Sequence, residues 1–422
     1  MSEATIDAAP RVRSRTFAAL VENPDYRRFY AGQGVSLIGT WLQEAAVSWI
    51  VFEMTGSEWM LGLVSASGTL PGLLVGLHAG ALADRVPPKA MILLMQVAQM
   101  FLAFLLAALV FTGVVQIWHM ALILAITRVC VTFEMPCRQV FLYDLVGKRS
   151  LMNAIALNSG LFNASKIVGP ALAGLCLARL GRTACFGLNG ASYLAAIAAL
   201  LMIRRPHKPR PPHDEGGGIL VGLRHLGRDR HLAGLFLGMT FFGVVGMGYA
   251  ALVPAYAKSV LGLGVAGYGA LMAISGLGAT LGALTLASLG GFRRKHLLIV
   301  FGMAIFGAAI ATAGGLPPIF LRSGMRSAGL AAGAVGMFGA GFGALIFYAA
   351  TQTLIQTNVP DALRGRIMGV WMIAFSGSVP LGSLLAGFLA RAYGVSIVMV
   401  GSAALCLVVA AIAGQSGWLS QD

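Results

Sequence analysis

Arg204-Arg205-Pro206-His207-Lys208-Pro209-Arg210-Pro211-Pro212-His213-Asp214-Glu215-Gly216-Gly217-Gly218 is the stretch that decides the fold. Prolines and a triple glycine at this density punctuate a chain rather than extend an element, so the stretch reads as a basic linker. Six long apolar segments precede it, at roughly 34–54, 60–82, 90–112, 117–135, 154–177 and 184–203. Six more follow, at roughly 232–257, 268–289, 297–313, 327–349, 367–390 and 395–413. A run of about 20 apolar residues crosses the hydrocarbon core of a bilayer. The expectation is therefore an all-α membrane protein with twelve transmembrane helices in two pseudo-symmetric bundles of six. The predicted layout is a tail at 1–26, a first bundle at 27–203, the linker at 204–230, a second bundle at 231–414 and a tail at 415–422. Residues 1–22 read as disordered. Ile219–Leu226 reads either as a short amphipathic helix on the membrane surface or as a solvated tether.

Composition agrees with the membrane reading. The chain is 58% hydrophobic and 11% charged, with 56 glycines, and its mean hydropathy is +0.82. Continuous apolar runs exclude a β-barrel, whose strands alternate lipid-facing and lumen-facing residues. Glycine at this level suits helices that pack closely in lipid. The net charge of +15 suggests nucleic acid until its placement is traced. With the N-terminus inside, 22 of the 30 Lys and Arg fall in cytoplasmic segments and six in external loops. That is the positive-inside bias, which places both termini in the cytoplasm of a multi-pass inner-membrane protein and needs no nucleic-acid partner. The first 30 residues show no short apolar region with a cleavage site, so the first span is expected to direct insertion. The five cysteines are scattered without metal-ligand spacing and read as small buried hydrophobes. No cofactor is expected.

An internal offset of roughly 206 to 214 positions relates the halves. Val168-Gly169-Pro170-Ala171-Leu172-Ala173-Gly174 in span 5 has a counterpart in Val379-Pro380-Leu381-Gly382-Ser383-Leu384-Leu385-Ala386-Gly387 of span 11, and both continue to Leu-Ala-Arg. Duplication of a six-helix unit is the simplest account.

Three charges fall near mid-depth: Glu44 in span 1, Arg128 in span 4 and Lys166 in span 5. An unpaired charge there costs between roughly 2.5 and 17 kcal/mol depending on the reference, so such residues usually face a polar cavity and a partner. Glu44 is expected to pair with Arg128 or Lys166 and to exchange that partner for a proton or an anionic group of a substrate. A permanent structural ion pair, or a Lys166 that reaches toward the interface, is the competing account. The second half carries no charge within its six segments. Trp41, Gln43, Phe241, Tyr249, Tyr348, Gln352 and Trp371 are the expected cavity wall, although any one of these can instead pack against other helices or lipid.

The inner loop Gly80-Ala81-Leu82-Ala83-Asp84-Arg85-Val86-Pro87-Pro88-Lys89 sets an acid among bases at the membrane surface. It resembles the signature between helices 2 and 3 of the major facilitator superfamily, with Pro87 and Pro88 replacing a Gly and an Arg. Within that superfamily the chain resembles the bacterial branch of the enterobactin exporter, the transmembrane secretion effectors. Asn23-Pro24-Asp25-Tyr26-Arg27-Arg28-Phe29, Glu134-Met135-Pro136-Cys137-Arg138-Gln139 and Val359-Pro360-Asp361-Ala362-Leu363-Arg364-Gly365-Arg366 carry that resemblance. It implies a charge latch at the inner ends of spans 2, 4 and 11, built from Gly80, Asp84, Arg85, Lys89, Glu134, Arg138, Arg364 and Arg366. Gly169, Pro170 and Gly174 resemble part of the antiporter signature, with generic small-residue packing as the alternative. The function implied is a proton-coupled secondary exporter of a small, largely apolar compound such as a drug-like molecule or siderophore, working as a monomer. Uptake by the same fold and a non-transporting sensor are the rivals. An ATP-driven pump is excluded, since Gly147-Lys148 is followed by Arg149 and no phosphate-binding loop exists. No nucleophile–base set suggests an enzyme.

Overall fold

In a bilayer core no water is present to bond exposed backbone amides, so each apolar run closes its hydrogen bonds within a helix. The computed structural model describes residues 17–83, 86–203, 224, 226–227, 229–289 and 295–415, with the side chains of all of these except 77–83, 295, 361–362 and 364–366. The first half comprises α1 (Ala18–Glu22), α2 (Pro24–Thr55), α3 (Glu58–Ser67), α4 (Leu70–Ala83), α5 (Pro88–Phe111), α6 (Ile117–Arg179) and α7 (Arg182–Met202). The second comprises α8 (Arg230–Phe241), α9 (Tyr249–Ala255), α10 (Val265–Ser288), α11 (Lys295–Arg322), α12 (Arg326–Asn358), α13 (Asp361–Tyr393) and α14 (Val395–Gln415). Helix α3 with α4 makes span 2. Helix α8 with α9 makes span 7, where π-helical turns at Phe242–Gly246 and Tyr256–Val260 interrupt the α-helix. Eleven stretches are long and apolar enough to cross a membrane, and α6 counts twice because it breaks at Gly147 (φ 67°, ψ 176°). Twelve crossings result among the described residues.

Local chemistry sets the boundaries. Helix α2 starts with Pro24 in its first turn and Asp25 beside it, and ends at Gly56 with φ 58°. It therefore begins ten residues before the apolar run does. Helix α12 likewise continues past the apolar run to Asn358, and α11 runs through Pro317 and Pro318 to Arg322. The stretch that reads as an external loop after position 313 is mostly two further turns of helix. Hydropathy marks where lipid contact ends, whereas helices stop at their caps. Residues 18–22, expected to be disordered, form α1, whose Ala19 is fully buried and donates its N–H to Asn153 Oδ1 at 3.0 Å. The linker at 204–223 and the segment after 415 lie outside the described residues.

Helices α2, α5, α6 and α7 pack together as the first bundle, and α10, α11, α12 and α14 form much of the second. Two related glycine contacts join the bundles. Gly387 of α13 faces Gly62 of α3, and a Cβ on Gly387 would lie 2.6 Å from the Glu58 carbonyl and 3.2 Å from Gly62 Cα. Gly174 of α6 faces Gly269 of α10, where a Cβ on Gly269 would lie 2.6 Å from the Pro170 carbonyl and 3.0 Å from Gly174 Cα. Gly62 and Gly269 are 207 positions apart, and Gly174 and Gly387 are 213 apart, so the contacts obey the repeat seen in sequence. Both lie toward the end of the molecule remote from residues 24 and 415.

Candidate functional site

The interruption of span 2 shapes the mid-depth charges. Pro71 lacks the N–H that would bond the Ser67 carbonyl, and the helix breaks at Gly68–Thr69. Arg128, on the first arm of α6, uses that break: its Nε donates to the Gly68 carbonyl at 2.8 Å. Its Nη2 donates to Glu44 Oε1 of α2 at 3.2 Å. Gly72, one turn further on, makes room for the arginine stem, since a Cβ there would lie 2.9 Å from Arg128 Cγ and 2.7 Å from Thr132 Oγ1. The two charged side chains keep 36% and 35% of their surface open, so the pair borders space that protein does not fill.

Lys166, on the second arm of α6, forms no ion pair among the described residues. Its Nζ lies 4.9 Å from the centre of the Trp41 ring and 5.2 Å from that of Phe162, and those rings meet edge to face at 5.6 Å. Such cation–π contacts are worth about 0.5–2 kcal/mol. Glu44 acts on Lys166 electrostatically from a longer distance than on Arg128. Of the two partners open to Glu44 from sequence, Arg128 is the one in hydrogen-bond contact.

A second carboxylate is enclosed instead. Glu134 is 1% exposed. It accepts from Gln96 Nε2 at 2.7 Å, from Gln99 Nε2 at 2.8 Å, and from Arg138 one helical turn away. Tyr193 of α7 donates to Gln99 Oε1 at 3.3 Å and shares a contact of the same length with Thr40. This network ties α2, α5, α6 and α7 together inside the first bundle. Glu134 and Arg138, expected in the latch, bond here to partners within the first bundle. Lys89, at the inner end, is also held within its own bundle, its Nζ donating to the Ile203 carbonyl at the end of α7 at 2.6 Å. A cation at a helix C-terminus meets the carbonyls left without helical partners, which explains the choice. Asp84 and Arg85 lie outside the described residues, as do the surroundings of Gly80 and the side chains of Arg364 and Arg366.

The expected wall divides. Trp41, Phe241, Tyr348 and Gln352 are half-buried, and Tyr348 packs on Phe375 at 4.9 Å. Gln43, Tyr249 and Trp371 stand behind it, inside their bundles. Gln43 accepts from Asn189 Nδ2 at 2.8 Å, Tyr249 packs on Phe306 at 5.6 Å, and Trp371 meets Phe236 at 5.9 Å. Adjacent residues on a helix point about 100° apart, so Gln43 and Glu44 do not share a face. Gly169 abuts span 1, where a Cβ would come 3.0 Å from Leu42 N and closer still to Trp41 Cβ. Gly174 and the Pro170 carbonyl belong to the contact with Gly269 between the bundles.

Gln96, Gln99, Tyr193, Gly68 and Gly72 were not anticipated from sequence. Two glutamines three residues apart on one face of an apolar span were the available signal for the network. Nothing short of the structure distinguishes Gly68 and Gly72 from the other glycines.

Residues 14–419 match the family described as transmembrane secretion effector. An uncharacterized MFS-type transporter, YfiS of Bacillus subtilis, is 29% identical over 392 residues, covering 90% of each chain. The staphyloferrin A transporter of Staphylococcus aureus is 24% identical, covering 90% of this chain and 93% of its own. The enterobactin exporter EntS of Shigella flexneri is 28% identical, covering 87% and 85%. Among solved structures, the nucleoside transporter NupG (a mutant form) superposes with a TM-score of 0.76 at 15% identity, covering 94% of this chain and 98% of its own. A bacterial homologue of the human lysosomal transporter Spinster, inward-facing and unoccupied, gives 0.71 at 16%, covering 94% and 96%. At these identities the structures speak for the fold alone.

Proposed function

Because this chain belongs to the transmembrane secretion effector family, within the major facilitator superfamily, we propose that it carries a small, largely apolar compound out of the cell in exchange for protons. Members of the superfamily are secondary transporters that work by alternating access, and this protein is one of them. The observation that carries the coupling proposal is the Glu44–Arg128 contact, open over about a third of its surface at mid-span. An arginine–carboxylate hydrogen bond that borders open space can be exchanged for another partner. Movement of Arg128 or arrival of cargo would then exchange a proton at Glu44. Half-buried Trp41, Phe241, Tyr348 and Gln352 supply an aromatic wall for the cargo, and Lys166 remains available to a polar group on it.

With the termini cytoplasmic, the glycine contacts close the outer end, and the described arrangement is the inward-facing state. The latch at the inner ends, with Asp84, Arg85, Arg364 and Arg366 at its centre, would close in the opposite state. The unit proposed is a monomer.

The test uses everted membrane vesicles carrying a respiration-driven proton gradient, read with an acridine dye. Adding transported compounds from a panel of ethidium, erythromycin and catechol-type chelators is expected to dissipate the gradient with wild-type protein and not with Glu44→Gln. Equal dissipation by that variant removes Glu44 from coupling. Compound movement that needs the opposite gradient makes the protein an importer, and none with any compound or gradient leaves a sensor.

A further inference from the structure

Span 2 is a place where the charge pair and the contact between bundles meet. Arg128 grips the broken turn at Gly68 with Nε and Glu44 with Nη2, so a single guanidinium joins α2, α6 and span 2. The segment immediately before that turn is α3. Its Gly62 and Ser65 lie on α13, with Ser65 Oγ 3.4 Å from Ser383 Oγ, and its Trp59 packs edge to face on Phe388 at 6.2 Å. We infer that Gly68 and Gly72 are positioning residues: by seating Arg128 against the interrupted turn, they make α3 a lever through which the state of Glu44 sets the contact between the bundles.

The inference rests on the transport reading but names a connection that reading does not contain. Three features support it. First, a guanidinium can donate in two directions from a fixed fork, whereas a lysine ammonium on a shorter head cannot hold both partners in that geometry. Second, the break supplies a hinge, since helix segments on either side of it can reorient without straining an unbroken ladder. Third, the atoms that a Gly72 side chain would displace are the arginine stem and a hydroxyl, which can move, so substitution there shifts Arg128 rather than unfolding the bundle. Besides Arg128, the charged or titratable groups that interact with Glu44 among the described residues include Lys166 of α6, Tyr193 of α7 and Tyr268 of α10. None of these touches span 2 among the described contacts, so the lever runs through Arg128.

The experiment reads the far end of the lever. Ser65→Cys is introduced into otherwise native protein in proteoliposomes, and labelling by a membrane-impermeant maleimide is compared with that of the parent, whose five cysteines are buried. Labelling is expected to be low with the pair intact and to rise at least fivefold with Glu44→Gln, with Gly72→Ala and with Arg128→Lys, which keeps the charge but not the fork. Combining Gly72→Ala with Glu44→Gln is expected to add nothing further, as for changes on one path. Restriction of the rise to Glu44→Gln, an Arg128→Lys variant that behaves as wild type, or full additivity of the pair overturns the lever. Loss of gradient-driven transport in Glu44→Gln without any change in labelling of the Ser65→Cys thiol overturns it while leaving the transport reading intact.

Discussion

At the scale of single residues, two carboxylates inside the first bundle have opposite surroundings. Glu134 is enclosed and bonded on three sides, and removing it leaves Gln96, Gln99 and Arg138 without their acceptor. Breaking a buried pair from one side typically costs about 3–5 kcal/mol. Glu134→Ala is therefore expected to lose about that much stability in equilibrium unfolding from mixed micelles. Glu44→Gln, a change at a side chain open over a third of its surface, is expected to cost less than about 1 kcal/mol. A stable Glu134→Ala protein would mean that the glutamine network carries no weight. In sequence Glu44 reads as a mid-depth charge and Glu134 as part of the inner-end latch, and neither reading tells which of the two is enclosed. Their difference depends on whether neighbouring helices present amides or open space, and that is a property of packing.

At the scale of elements, the interruptions matter as much as the helices. Gly147 lets α6 turn back as two spans, and Gly68–Thr69 gives span 2 its hinge. The glycine contacts place backbone against backbone, leaving no flexible group to yield. A Cβ on Gly269 would meet a carbonyl and a Cα. Gly269→Val and Gly387→Val are each expected to hold the bundles apart at that end, raising maleimide labelling of Ser65→Cys at least fivefold without lowering the amount of folded protein. The same labelling in both variants as in the parent would show that the contact yields freely. Sequence did reveal Gly174 and Gly387 as members of a repeated pattern. Their partners Gly62 and Gly269 were two among 56 glycines, and only the crossing of spans singles them out.

At the scale of the whole molecule, charge placement makes a prediction independent of any side-chain contact. Alkaline phosphatase fused after Asp422 is expected to be inactive and a fluorescent protein there bright, whereas phosphatase inserted after Gly324 is expected to be active. Activity in the first fusion would reverse the orientation and with it the identity of the closed end. The order of residues alone was enough to establish the twelve crossings and the twofold repeat, because burial in lipid demands long apolar runs and a duplicated unit keeps its spacing. It also located the three mid-depth charges. Packing in three dimensions was needed to show that Arg128 holds Glu44, that Lys166 rests on aromatic rings, and that Glu134, Arg138 and Lys89 turn into their own bundle. Hydropathy records how much of a helix meets lipid, but which way each side chain points follows from how the helices are rotated and crossed, and that information is spread over every contact in the bundle.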